Sequence, residues 1–207
     1  MGLSVISPVA GALICVLSLT ILPWQSAPTL LFPQVWQVAF GQSSAHTAAD
    51  YYVFVVAYPM ALFGILLGFA ATLESAALRW TTFALSALLL CGGGLLMGSS
   101  VLLSTATNQN PGTAGTDTPV QTAVLVGSVL LALSVATCVI ALVRGMVGRI
   151  LCGALLIAYA ALHLTMVVSL YASSAATPLP FAFTASLGYL LLAAGAFLGP
   201  TYERKSG

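Results

Sequence analysis

The stretch ILCGALLIAYAALHLTMVVSLY, residues 150–171, decides the fold of this chain. As a helix that rises about 1.5 Å per residue, it is long enough to cross roughly 30 Å of hydrocarbon. Arg144 and Arg149 precede it, and His163 lies near its middle. The stretch therefore predicts a membrane-spanning helix with basic residues at one end and one candidate polar site inside.

The composition extends that interpretation to the whole chain. Hydrophobic residues make up 60% of it, charged residues only 4%, and the mean hydropathy is +1.08. A water-facing surface needs far more charge, and such high hydrophobicity excludes intrinsic disorder. The net charge of +1 gives no basic patch, which excludes nucleic acid as a partner. We predict an all-α integral membrane protein in which residues 1–207 form a single membrane domain.

Six apolar runs have the length of a membrane span. They are residues 3–22, 51–72, 81–103, 120–143, 150–171 and 181–199. Pro119 and Pro180 lie at the starts of the fourth and sixth runs, where a helix tolerates proline. Pro59 is predicted to lie inside the second span, which bilayer helices also tolerate. These runs predict a six-transmembrane-helix bundle.

All five basic residues fall on one side of such a bundle. They are Arg79, Arg144, Arg149, Arg204 and Lys205. Basic residues concentrate on the cytoplasmic side, so both termini are predicted to be cytoplasmic, in the plasma (inner) membrane. We expect these side chains to set the topology and to contact lipid headgroups, with Glu74 or a headgroup as the partner of Arg79. The preference for Arg over Lys, with abundant Ala, Gly, Val and Leu, is typical of a GC-rich bacterial genome.

The longest segment outside the spans, residues 24–50, has an amphipathic pattern. Leu31, Phe32, Val35 and Trp36 recur at helical spacing, while Gln34 falls on the other side. The pattern predicts a short interfacial helix in the first outer loop. A re-entrant hairpin and a docking surface for a partner are the alternatives.

His163 is the centre of a predicted polar layer. Counted inward from the outer ends of the spans, Tyr58, His163 and Tyr189 all lie about 10–12 Å deep, and Tyr159 lies one turn further in. If the second, fifth and sixth spans adjoin, these side chains form a hydrogen-bonded layer. The layer either fixes helix packing through interhelical hydrogen bonds, or contacts a quinone or lipid headgroup, or relays protons.

The sequence predicts no catalytic residues, no metal and no cofactor. A membrane haem needs a second histidine within the bilayer, but His46 falls in an outer loop. His46 and Asp50 are too few ligands for a specific metal site, and their proximity to Ser43 and Ser44 does not indicate a catalytic triad. The spans contain no charged residue near mid-membrane, which argues against an ion-coupled pump.

Small residues indicate close helix contacts. Three Gly-x-x-x-Gly pairs occur, namely Gly64/Gly68, Gly94/Gly98 and Gly195/Gly199. Such pairs let helix backbones approach closely in a bilayer. Together with the missing catalytic groups they favour a non-catalytic accessory or structural subunit of a larger membrane complex, whose partners are membrane lipid and other membrane-protein subunits. The alternatives are a passive transporter or channel for a small neutral or apolar solute, and a quinone-contacting respiratory-chain subunit.

Overall fold

The fold is taken from a computed structural model, which describes residues 3–22, 56–107, 117–172 and 180–199. Within these ranges the chain forms six α-helices and no strand, which confirms the all-helical prediction. The helices are α1 (Leu3–Thr20), α2 (Tyr58–Thr72), α3 (Ala76–Thr107), α4 (Asp117–Leu142), α5 (Gly145–Ala172) and α6 (Thr184–Leu198), and a 3₁₀-helix (Pro180–Phe183) leads into α6. The predicted interfacial helix, Arg204 and Lys205 lie outside the described residues.

The helix starts differ from the predicted span starts. Helix α3 begins at Ala76 and not at residue 81, and α5 begins at Gly145 and not at residue 150. The reason is that an apolar run marks the part of a helix that suits hydrocarbon, whereas the helix continues to the turn. Pro59, predicted inside a span, lies in the first turn of α2, where its missing N–H has no intrahelical partner.

Three helices are followed, within three residues of their last residue, by a residue with positive φ. These residues are Glu74 (φ 49°) after α2, Gly145 (φ 70°) after α4 and Gly199 (φ 64°) after α6. A left-handed residue stops a helix and turns the chain away from its axis. The turns from α2 to α3 and from α4 to α5 are therefore short.

Helix α6 lies at the centre of the packing. It contacts α1, α2 and α5, and its contact with α1 is the most extensive in the described structure. We refer to α1, α2, α5 and α6 as the α6-centred core. Helices α3 and α4 pack mainly on each other, and this α3–α4 hairpin attaches to the core through α2 and α5.

Helices that follow one another in the chain alternate in direction. Pro8 of α1 lies against Gly195 of α6, whereas Gly11 lies against Gly188, so these two helices are antiparallel. Arg79 at the start of α3 contacts Val143 just after α4, which makes the hairpin antiparallel too. The ends of α2, α4 and α6 and the starts of α3 and α5 thus share one end of the molecule. We call it the arginine end, because it carries Arg79, Arg144 and Arg149.

Two segments of the described chain are long and apolar enough to cross a membrane. They are Gly145–Val168, with a hydropathy of 2.1, and Pro180–Leu198, with a hydropathy of 1.8. Shorter apolar helical segments occur in the other four helices, at Val5–Thr20, Tyr58–Thr72, Ala76–Gly92 and Ser128–Leu142. Length and composition thus give two candidate spans, in α5 and in the segment that contains α6.

Candidate functional site

His163 is fully buried on α5 and links that helix to the segment before α6. Its Nε2 atom lies 2.9 Å from the carbonyl oxygen of Ala182 in the 3₁₀-helix. A carbonyl oxygen can only accept a hydrogen bond, so Nε2 carries the hydrogen and donates it. The hydrogen bond satisfies a polar ring that is costly to bury in an apolar interior. It therefore fixes the position of the turn that leads into α6.

Tyr159 lies one helical turn before His163 and links α5 to the α3–α4 hairpin. Its hydroxyl lies 2.7 Å from Thr137 Oγ1 on α4, and that Thr137 hydroxyl donates to the carbonyl of Leu133 at 2.7 Å. A threonine hydroxyl has one hydrogen, which here goes to Leu133, so Tyr159 donates to Thr137. Tyr159 and Thr137 are both buried.

Tyr189 of α6 completes a cluster of three buried rings. Its ring centroid lies 5.8 Å from that of Tyr159 and 6.3 Å from that of His163, in edge-on geometry. Such edge-on pairs are favourable for aromatic rings at these distances. On the other side, the ring lies where Gly64 of α2 has no side chain, since a Cβ there would be 3.1 Å from Tyr189 Cε1. Helices α2, α5 and α6 adjoin one another, which was the condition for the polar layer.

Tyr58, the fourth residue of the predicted layer, connects to α1. Its hydroxyl donates to the carbonyl oxygen of Leu19 at 2.8 Å. The oxygen of Leu19 belongs to the last turn of α1, where carbonyls lack intrahelical partners. The four residues of the predicted layer therefore link α2 to α1, and α5 to α4 and to the segment containing α6.

The sequence analysis did not predict the close contact between α1 and α6. Ser7 Oγ donates to the carbonyl of Leu191 at 2.5 Å, and Ser18 Oγ to that of Phe181 at 3.2 Å. Between them, Gly11 and Gly188 bring the two backbones together, since a Cβ on Gly11 would lie 2.7 Å from the Gly188 oxygen. The available signal was the four-residue spacing of small residues at 7, 11 and 15, which a search for glycine pairs alone does not detect.

The glycines of the predicted pairs have different neighbours. Gly64 and Gly68 of α2 lie against Tyr189 and Leu192 of α6, and Gly195 lies against Pro8 of α1. The position of Gly199 is filled by the guanidinium group of Arg149, which leaves no room for a side chain. The surroundings of Gly94 and Gly98 lie outside the described side chains.

The arginines bind helix ends. Arg149 donates from Nε to the carbonyl of Ala196 at 3.2 Å and from Nη2 to that of Phe197 at 3.0 Å. The buried Arg79 donates from Nη1 to the carbonyl of Val143, and among the described residues it forms no ion pair with Glu74. Both arginines therefore place a positive charge at the negative end of a neighbouring helix.

The described residues contain no group of three or more His, Cys, Asp or Glu side chains that could hold a metal ion. Chemically, the hydrogen-bond donors of His163 and Tyr159 in this cluster are already bound to protein oxygens. The cluster can fix the helices relative to one another. Comparison of the chain with protein-family models, with curated proteins and with solved structures finds no match in any of the three.

Proposed function

We propose that this chain is a six-span protein of the bacterial plasma membrane, with both termini on the cytoplasmic side. The distribution of apolar residues supports the proposal, because every described helix exposes large apolar side chains. Examples, one from each helix in order, are Leu13, Leu62, Leu88, Val139, Leu164 and Leu190. His163 is buried instead, together with three serines and three threonines, namely Ser18, Ser86, Ser134, Thr72, Thr82 and Thr137, although Thr81, Ser128 and Thr165 are exposed. An apolar exterior around a polar-containing interior suits a lipid solvent and not water.

The arrangement of the arginines supports the same topology. Arg79, Arg144 and Arg149 gather at the arginine end, and the helix directions alternate as a chain that crosses repeatedly requires. Basic residues on one face mark the cytoplasmic side. Reporter fusions at Met1 and at Gly207 test the topology. A reporter that works only in the cytoplasm should be active at both termini. A reporter placed within residues 108–116 should be active only if it is of a kind that works outside the cytoplasm. Activity of the two terminal fusions on opposite sides would exclude six spans.

Within that membrane arrangement we propose a non-catalytic role, as an accessory subunit that assembles or stabilises a larger membrane complex. The observation that carries this proposal is the use of the buried polar groups. The hydrogen bonds of His163, Tyr159 and Ser186 join α5 to the 3₁₀-helix, α4 and α6 respectively. Polar residues of membrane bundles commonly serve to join helices in this way.

A surface on α3 fits the approach of a helix from another subunit. Ala84, Leu88, Cys91 and Gly92 are exposed and repeat at helical spacing on one face of α3. A Cβ on Gly92 would have nothing within 4 Å, so the backbone is open to a neighbour there. Close approach at small residues is the usual basis of helix association in lipid.

Purification from native membranes in mild detergent tests the subunit role. We expect a defined set of membrane-protein subunits to co-purify, and Gly92→Leu to reduce their recovery. Ala161→Leu is the matched control, because Ala161 is an exposed small residue on α5, away from the α3 surface. Recovery of this chain alone as a monodisperse particle would contradict the proposal. So would liposome flux of a small neutral solute that depends on His163, since that result would indicate the passive transporter.

A further inference from the structure

A cleft of about 140 Å³ lies at the arginine end, between the turn from α2 to α3 and the turn from α4 to α5. Glu74, Ala76, Arg79, Arg144 and Gly145 line it. The proposed subunit role does not involve this cleft. Its charge, its backbone donors and its apolar surroundings all bear on one class of ligand.

The charge of Arg79 is the first of these features. The side chain is only 7% exposed, and its described hydrogen bond, from Nη1 to the carbonyl of Val143, uses one of the five N–H groups of a guanidinium. No carboxylate of the described residues pairs with it. Because a buried cation is costly without an anion, the cleft favours a ligand that carries negative charge.

Two helix starts add donors to the same cleft. Ala76 begins α3 and Gly145 begins α5, and both residues line the cleft. Backbone N–H groups in the first turn of a helix have no intrahelical acceptor, and the positive end of the helix dipole favours anions. Ser75 Oγ accepts from the N–H of Leu78 at 3.4 Å and so accounts for one of these donors in α3.

The net charge of the lining limits the anion. Arg79 and Arg144 contribute two positive charges and Glu74 one negative charge, which leaves +1. That charge balances a singly ionised phosphate diester. A doubly charged phosphate would leave the occupied cleft with a net charge of −1.

Apolar side chains beside the cleft point to an amphiphilic ligand. Trp80 follows Arg79 and is 56% exposed, while Met146 and Val147 follow Gly145 and are 75% and 61% exposed. Tryptophan is typical of the boundary between headgroups and hydrocarbon. An anionic headgroup in the cleft would leave its acyl chains next to these side chains.

We infer that the cleft binds the phosphate diester of an anionic phospholipid of the cytoplasmic leaflet, held by Arg79, Arg144 and the starts of α3 and α5. Free phosphate ion offers similar chemistry from a second source. The lipid source rests on the proposed topology, which places the arginine end at the cytoplasmic surface. Binding by the cleft itself does not depend on which side of the membrane it faces.

The test uses the purified full-length chain in a neutral detergent, with short-chain phosphatidylglycerol, phosphatidylcholine or inorganic phosphate added in separate titrations. Salt at about 0.5 M screens charges outside the cleft. We expect phosphatidylglycerol to bind more tightly than phosphatidylcholine. Arg144→Gln should weaken phosphatidylglycerol binding about tenfold, as loss of one hydrogen bond to a charged group implies.

Arg149→Gln is the matched control, since it removes the same charge from the arginine end at a residue that does not line the cleft, and it should leave the affinity unchanged. Glu74→Gln should increase it, because it removes the opposing carboxylate. Equal losses in Arg144→Gln and Arg149→Gln, or no preference for phosphatidylglycerol, would overturn the inference. Saturation by inorganic phosphate at the same concentration as the lipid would overturn the lipid source. The topology and the lipid site can fail separately. If the circular dichroism spectrum is native and both termini are cytoplasmic, but the protein shows no preference for phosphatidylglycerol, this inference is overturned and the proposed topology stands.

Discussion

The α6-centred core and the α3–α4 hairpin use the same residue type in opposite ways. In the core, a Cβ on Gly188 would lie 2.9 Å from the backbone oxygen of Gly11, so the two helices are in contact through their main chains. In the hairpin, Gly92 faces open space. Glycine therefore indicates close packing only where a second helix is aligned with it, and glycine spacing alone does not show which case applies.

The two regions also differ in their polar contacts. Serines of α1 donate directly to backbone carbonyls of the 3₁₀-helix and α6, which requires the helices to be close. In the hairpin, Ser86 Oγ and Cys138 Sγ lie 3.0 Å apart and connect side chain to side chain, while Cys138 Sγ also donates to the carbonyl of Phe83 at 3.9 Å. In the proposed membrane arrangement, lipid supplies no hydrophobic force between helices, so both regions would depend on packing and hydrogen bonds. We expect the core to depend mainly on steric fit and the hairpin to tolerate added volume.

The largest effect should come from Gly188→Ala. The added methyl group would meet Cys15 Sγ at 2.5 Å and backbone atoms of α1 at about 3 Å, and the backbone cannot move aside without separating the helices. We expect the free energy of unfolding to fall by about 3 kcal/mol, as for overpacked cores. Reversible unfolding in mixed detergent micelles, followed by circular dichroism, measures it. Unchanged stability would show that α1 and α6 stand further apart.

His163→Leu should have the next largest effect. It removes the donor to Ala182 and leaves a buried carbonyl without that partner, at a cost of about 1.5 kcal/mol. His163→Gln keeps a donor and should recover part of the loss in the same unfolding experiment. If both variants unfold like the wild type, the hydrogen bond between α5 and the 3₁₀-helix contributes nothing to stability.

Arg149→Gln tests the arginine end of the core. The guanidinium group binds the last carbonyls of α6, and its loss should lower the free energy of unfolding by about 1 kcal/mol. Arg144→Gln is the control, because Arg144 lies in the turn just before α5 and is exposed. Equal effects of the two substitutions would mean that Arg149 stabilises the protein through its charge in general and not through its hydrogen bonds to the end of α6.

Gly92→Ala should have the smallest effect on the free energy of unfolding, and it should be stabilising. A methyl group there meets no atom, while alanine favours the helix by about 0.5 kcal/mol over glycine. We expect a slight increase in the free energy of unfolding of the isolated chain. A clear decrease would show that α3 packs closely at this position, and the contrast between core and hairpin would then be lost.

The sequence predicted the elements better than their contacts. Helices were expected from apolar runs, and each of the six runs overlaps one, although α3, α4 and α5 start earlier than the runs do. The depth along the spans, which is set by the fixed rise per residue of a helix, grouped Tyr58, His163 and Tyr189 with Tyr159 one turn further in. In the structure, the rings of Tyr159, His163 and Tyr189 lie together. The hydroxyl of Tyr58 instead binds the end of α1. The role of Arg79 was not predictable in this way, since its acceptor, Val143, is distant in sequence.

By itself, the sequence determined that the chain is helical and apolar, because helix period and hydropathy are local properties. It also placed the basic residues at alternate turns. Only the tertiary structure decided that α6 is central, that α1 packs on it through Gly11 and Gly188, and that two turns form one charged cleft. Apolar helices of similar composition can pack in many orders. The order depends on which small residues align across two helices, and that alignment exists only in three dimensions.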